Sequence, residues 1–248
     1  MSRFPHITPR KVAHIPVNKF YRARPYGETV YGVDGCYFYL DAATNVTLNG
    51  TQVSSWTDQV QNIRFYNTNA TYQPTFVAAD AGYNGQPTLS TSGTGFTLLA
   101  DVGVRLNQDT CIVVVGGMNI ITNNPHMIGS GSLNSLYMGG SYGPSANKLS
   151  LYLLGTTLKI QSNVVYNVPQ IAIITNQYII QNGTINKFQN YTAFVQSTNF
   201  NTIFSSSNGN TTYSLIGEMA EILMFNGKFT ESQLLELSDN INTKYLFY

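Results

Sequence analysis

Two glutamates three residues apart, Glu218 and Glu221, sit in the apolar run GEMAEILMF near the end of the chain. Paired carboxylates are the groups that hydrolyse a glycosidic bond. That chemistry needs both of them on one side of the substrate, within about a nanometre of each other. The run reads as a strand, and side chains alternate along a strand. A spacing of three therefore predicts opposite faces, leaving the two glutamates as edge or turn partners for nearby basic groups. Between Asp109 and Glu218 the sequence holds neither Asp nor Glu. The middle of the chain offers no acid to complete a pair, and no catalytic residue is expected.

Other chemistry-bearing patterns dissolve in the same way. Gly139 to Gly143 spells G-x-S-x-G around Ser141, but Pro144 follows where a nucleophile elbow needs a helix. No histidine lies downstream of Ser141. Of three histidines, His6 and His14 lie near the N-terminus and His126 stands alone, so no His/Cys group has zinc spacing. Gly93-Thr94-Gly95 lacks the third glycine of a dinucleotide loop. The stretch DAGYNG brings Asp80, Tyr83 and Asn84 together on a loop, with oxygen ligands of the kind Ca²⁺ takes or a sugar could meet. An Asx-rich turn without a ligand is the alternative reading of the same residues. No cofactor is otherwise expected, and Trp56 reads as a core anchor rather than a sugar platform.

The elements around these residues are mostly strands. The 248 residues are 12% aromatic and only 10% charged, the profile of a β-rich globular chain and not of a disordered one. DTCIVVVGGM is apolar enough to be buried on both faces. KLSLYLLGTTLKIQ alternates around a Gly-Thr turn, and QYIIQNGTINKFQ predicts a hairpin on Asn182-Gly183, because Asn-Gly accepts the positive φ of a type I′ turn. One helix is expected after Thr230. Thr230 and Gln233 have the capping-box spacing, Phe229 and Leu234 can staple the entry, and Leu234, Leu237, Ile241 and Tyr245 line one face. Cys36 and Cys111 are too few for a disulfide framework and read as free thiols.

Four segments in order carry a family resemblance. GEMAEILMFNGKFTESQLLELSDNINTKY resembles the end of laminin-G-like, concanavalin-A-like domains, with a final strand, a turn and a short helix ending near Lys-Tyr. YFYLDAATNVTLNGTQVSSWTDQ resembles their opening, YNGQPTLSTSGTGFTLLA their Asn-Gly-x-Pro segment, and YIIQNGTIN their Asn-Gly hairpin. The resemblance spans about residues 36–246 and implies an all-β, two-sheet antiparallel jelly-roll sandwich with one short C-terminal helix. The pattern departs after Asp58, where Gln-Val-Gln-Asn replaces the usual Ser-Gly run.

Residues 1–30 read as an extended N-terminal arm and residues 31–248 as the jelly-roll domain. The arm carries Pro5, Pro9, Pro16 and Pro25, which forbid helix, and six cations ahead of the first acid, Glu28. Arg3, Phe4, Arg10, Lys11, Lys19, Phe20, Tyr21, Arg22 and Arg24 suit docking along a protein groove better than binding nucleic acid, since the cations are spread among Pro and apolar residues. With no signal peptide or membrane span read from the sequence, the expectation is synthesis in a host cytoplasm and a non-enzymatic structural role in a virus particle, most naturally a tailed phage. The arm would then anchor the domain to other virion proteins, as a homo-oligomer or part of a capsid lattice. The alternative is a carbohydrate-binding module that recognises surface glycans.

Overall fold

The computed structural model describes residues 28–106, 109–119, 126–129, 137–140, 148–153, 158–163, 167–187, 199–205 and 214–248. Among them run eighteen strands and one helix. The first part of the chain forms β1 (Glu28–Val30), β2 (Val33–Asp41), β3 (Val46–Asn49), β4 (Gln52–Thr57), β5 (Arg64–Tyr66), β6 (Thr75–Asp80) and β7 (Gln86–Thr91). The middle forms β8 (Leu98–Arg105), β9 (Thr110–Met118), β10 (His126–Gly129), β11 (Tyr137–Gly140), β12 (Lys148–Leu153) and β13 (Leu158–Asn163). The end forms β14 (Gln170–Ile174), β15 (Tyr178–Gln181), β16 (Thr184–Lys187), β17 (Asn199–Ile203), β18 (Gly217–Asn226) and the helix α1 (Glu231–Tyr245). Every ladder between these strands is antiparallel, so the fold is mostly β with one C-terminal helix.

β18 is the spine of one run of ladders. It pairs with β2 on one side and β9 on the other, and β14, β15 and β16 follow beyond β9. β9 is buried throughout, as its unbroken β-branched run predicts. Its residues alternate between two cores: Ile112 and Val114 join the first, while Cys111, Val113 and Val115 join the second. The first core meets β4, β5, β8 and β17. Phe65 and Phe200 stack at 5.3 Å, and Phe38 of β2 meets both edge-on at 5.9 and 5.5 Å. Trp56 lies in this core, fully buried, and donates its indole N–H to the Asp41 carbonyl at 3.0 Å. It is the anchor its sequence context suggested.

The second core lies between the opposite face of β18 and α1. Leu234, Leu237, Ile241 and Tyr245 are its helical members, the four positions that the periodicity picks out. The Thr230–Gln233 capping box forms, and Phe229 meets Phe225 edge-on at 6.2 Å. The helix also rests on the β15–β16 hairpin, whose Asn182 and Gly183 take φ of 44° and 71°, the left-handed pair of a type I′ turn. A side chain on Gly183 would meet the Tyr248 ring at 2.9 Å, and the positive φ there favours glycine in any case. Cys36 and Cys111 are both buried free thiols, placed on either side of Phe225 by the two ladders of β18.

The described chain starts with a strand. β1 pairs with β2 through a tight turn at Tyr31 and Gly32 and occupies the last three residues that the sequence assigns to the arm.

Candidate functional site

The glutamates of β18 do not lie on opposite faces. The ladder to β9 slips between Met219, opposite Gly116, and Glu221, opposite Val115. Ala220 is the extra residue of a β-bulge, and a bulge resets the alternation. Ala220 faces the helix-side core while Met219 and Ile222 face the other. Glu218 and Glu221 therefore share the helix side. The expectation of opposite faces fails because strict alternation presumes an unbroken ladder.

Glu221 is 0% exposed, directly opposite Asp41 on β2, and Lys244 from the last turn of α1 reaches both. Its ammonium lies 3.2 Å from Asp41 Oδ2 and forms a close ion pair with Glu221 Oε1. Tyr31 Oη lies 2.8 and 2.9 Å from the two oxygens of Glu221, and Tyr39 Oη lies 3.2 Å from both Asp41 Oδ2 and Glu221 Oε1. Tyr31 holds φ of 52°, a left-handed value that costs a non-glycine residue about 1–2 kcal/mol. The Asn240 side chain holds it there by donating to the Tyr31 carbonyl at 2.9 Å.

The electrostatics follow from burial. Burial raises the Glu221 carboxyl, and the Lys244 charge pulls it back only in part. Burial works to lower the Lys244 ammonium, but Glu221 and Asp41 outweigh it and the net shift is upward. Burial, and then the Glu221 charge, push the phenols of Tyr31, Tyr39 and Tyr245 far above their usual range. The cluster thus holds one ammonium between two carboxylates under a lid of neutral phenols. A glycosidase pair needs a carboxyl free to give up a proton to substrate. Here the cation sits between the pair and the helix covers it, so the arrangement ties α1 to β2 and β18. Glu221 has the basic partner that the sequence reading foresaw. Among the described residues Glu218 has none, and Asn119 donates to its Oε1 at 2.7 Å.

The loop at Asp80 is a turn that uses its own polar atoms. Asp80 caps a short 3₁₀ turn, Ala81–Tyr83, accepting from the Gly82 N–H and the Thr88 hydroxyl, both at 2.9 Å. Asn84 sits in the left-handed region, φ 54°, and donates to the Lys244 carbonyl at 3.1 Å. Tyr83 points inward, 1% exposed, edge-on to Tyr245 and Phe247. The three candidates thus fasten the loop to the helix end. Among the described residues no group of three His, Cys, Asp or Glu side chains could hold a metal. Asp58, where the family pattern breaks, is buried and accepts the backbone N–H groups of Tyr39, Val60 and Gln61.

Arg3, Phe4, Arg10, Lys11, Lys19, Phe20, Tyr21, Arg22 and Arg24 lie outside the described residues, as does Ser141. No local pattern in the sequence joins Tyr31, Tyr39, Asp41 and Lys244 into one cluster. The only signal was the pairing of a Glu-containing last strand with a Lys-Tyr helix end.

No protein-family model matches the sequence, and no curated protein matches it. Solved structures share the fold. A Trypanosoma rangeli sialidase in complex with sialic acid superposes with a TM-score of 0.53 at 12% identity, over 88% of this chain and 36% of that one. An arabinofuranosidase complexed with arabinofuranosyl-alpha-1,2-xylobiose gives 0.54 at 11% identity, over 78% of this chain and 51% of that one. The chain spans between a third and about half of these enzymes. The likeness is one of β architecture. No helix among the described residues is long and apolar enough to cross a membrane.

Proposed function

We propose that the chain is a non-enzymatic structural module, a two-sheet jelly roll of the laminin-G-like kind, that its basic arm fastens into a virus particle. The observation that carries the non-enzymatic reading is the Asp41–Glu221–Lys244 cluster. Asp41 and Glu221, carboxylates that face each other on neighbouring strands, are closed off by a cation and by the helix. The arm supports the assembly role, because it is rich in Pro and cations and lacks a periodic apolar face of its own. Ordering such a segment costs about 1–2 kcal/mol per residue, which a neighbouring surface must offset. Removing residues 2–27 should give a folded domain that no longer joins its assembly, with attachment of the full chain weakening as salt rises. Normal incorporation of the truncated chain would refute the anchoring role.

A second reading, a glycan-binding module, draws on the likeness to segments of two glycan-acting enzymes. A glycan array read with and without Ca²⁺ separates the two. Silence in both conditions supports the structural role, and a reproducible hit supports the second reading.

A further inference from the structure

The Lys244 cluster holds more than an ion pair needs. One carboxylate neutralises one ammonium, and here two share it. The remaining contacts are directional. Asp41 Oδ1 accepts the backbone N–H of Ala43 at 2.9 Å, while Oδ2 lies 3.2 Å from Lys244 Nζ and 3.2 Å from Tyr39 Oη. Glu221, 0% exposed, sets Oε1 against the same Nζ and 3.2 Å from the same phenol. One carboxyl therefore has an amine at one oxygen and a fixed N–H donor at the other. A second carboxylate touches the amine, and Tyr39 bridges the two.

These are the parts of an amide-forming site. The Asp41 carboxyl carbon lies one bond beyond Oδ2, within reach of a small turn of the flexible Lys244 stem. Holding amine and acid together inside one fold replaces a slow bimolecular encounter, and the phenols and the helix limit competing water. We infer that Lys244 and Asp41 condense to an intramolecular isopeptide bond, with Glu221 as the catalytic proton carrier. Two protons leave Nζ in turn, and each passes by Glu221 Oε1 and the Tyr39 hydroxyl to Asp41 Oδ2. The Nζ lone pair forms the bond to Asp41 Cγ, and the Ala43 N–H meets the negative charge that develops on Oδ1. The Cγ–Oδ2 bond breaks, Oδ2 departs as water with those two protons, and the third stays on the amide nitrogen. No oxidant or cofactor is needed. Both carboxylates raise the hold of Lys244 on its proton, so the amine arises by transfer to Glu221, whose own carboxyl burial pushes up. That transfer is uphill, so the bond forms slowly after folding and the ion pair is the state that precedes it. Once the cation is consumed, Glu221 loses the charge that kept it ionised and takes a proton from solvent, so no bare charge stays buried. The bond would join β2 to α1 across 203 residues. It does not depend on the proposed assembly role.

The test is the intact mass of the full-length protein, denatured after increasing times at neutral pH. The wild-type chain should become lighter than its sequence by one water, and fragmentation of a digest should map the link to Asp41 and Lys244. Lys244→Arg and Asp41→Ala should keep their full mass. Folded Glu221→Gln should keep it too, although it retains both reacting side chains. Should that variant fail to fold, Tyr39→Phe carries the same question, since it interrupts the relay while preserving the ring, and it should lose water more slowly than the wild type. The inference is overturned by a full wild-type mass after prolonged incubation, by loss of water in Lys244→Arg, by a link mapped to Glu221, or by formation at the wild-type rate in Glu221→Gln or Tyr39→Phe.

Discussion

On one face of β18, Met219, Ile222 and Met224 meet Phe38, Phe65, Phe200 and Trp56 in a core of rings and aliphatic chains. On the other face Leu223 and Phe225 meet the helix, and Glu221 stands among them with Lys244. The first core is held by packing, which has no preferred partner beyond shape and volume. The second adds a buried charge that must find one particular cation. Apolar contact alone would hold α1 almost as well if it slid along the sheet. With Glu221 buried, any slide that separates it from Lys244 leaves an uncompensated charge, which is strongly unfavourable. The contrast assigns stability to one face and registration of the helix to the other.

The contrast can be broken from either side. The largest loss is expected in the first core, where Trp56→Ala should cost about 3–5 kcal/mol by denaturant unfolding. Leu237→Ala, on the helix, should cost about 2–5 kcal/mol. A midpoint unchanged by that substitution would mean that α1 does not depend on its apolar face. Alkali probes mainly the second face, although burial also pushes up Tyr37, which packs against the first core. The phenols of Tyr31, Tyr39 and Tyr245 and the Lys244 ammonium hold their protons more tightly folded than unfolded. Their stabilisation is complete below about pH 10 and drains away as the pH rises beyond it. The thermal midpoint should therefore fall steeply above that pH, and less so in Tyr39→Phe. Thr230→Ala removes the cap and should cost about 1 kcal/mol. The smallest effect expected is that of EDTA, which should leave the midpoint unchanged. A loss of many degrees restored by Ca²⁺ would turn the Asp80 loop into a metal site.

The elements that the sequence discloses are those set by local rules. The capping box at Thr230, the four buried helical positions and the Asn182-Gly183 turn each depend on residues a few places apart, and all form. Trp56 and the doubly buried β9 follow from hydrophobicity alone. The helix-side cluster was not legible, because its partners lie far apart in the chain. Tyr31 meets Glu221 across 190 residues, and Lys244 meets Asp41 across 203. The bulge at Ala220 depends on which strand β18 pairs with, and no residue in GEMAE announces it. The same holds for Tyr83, whose inward turn is fixed by Tyr245 and Phe247 near the opposite end of the chain.

The claim that the charged face registers the helix rests most directly on a double-mutant cycle of Glu221→Gln and Lys244→Met, read by denaturant unfolding. Lys244→Met alone should be costly, since it strands a buried carboxylate. The double variant should then recover part of that loss, with a coupling above about 1 kcal/mol. Losses that simply add would contradict it, showing that Glu221 and Lys244 do not act as a pair.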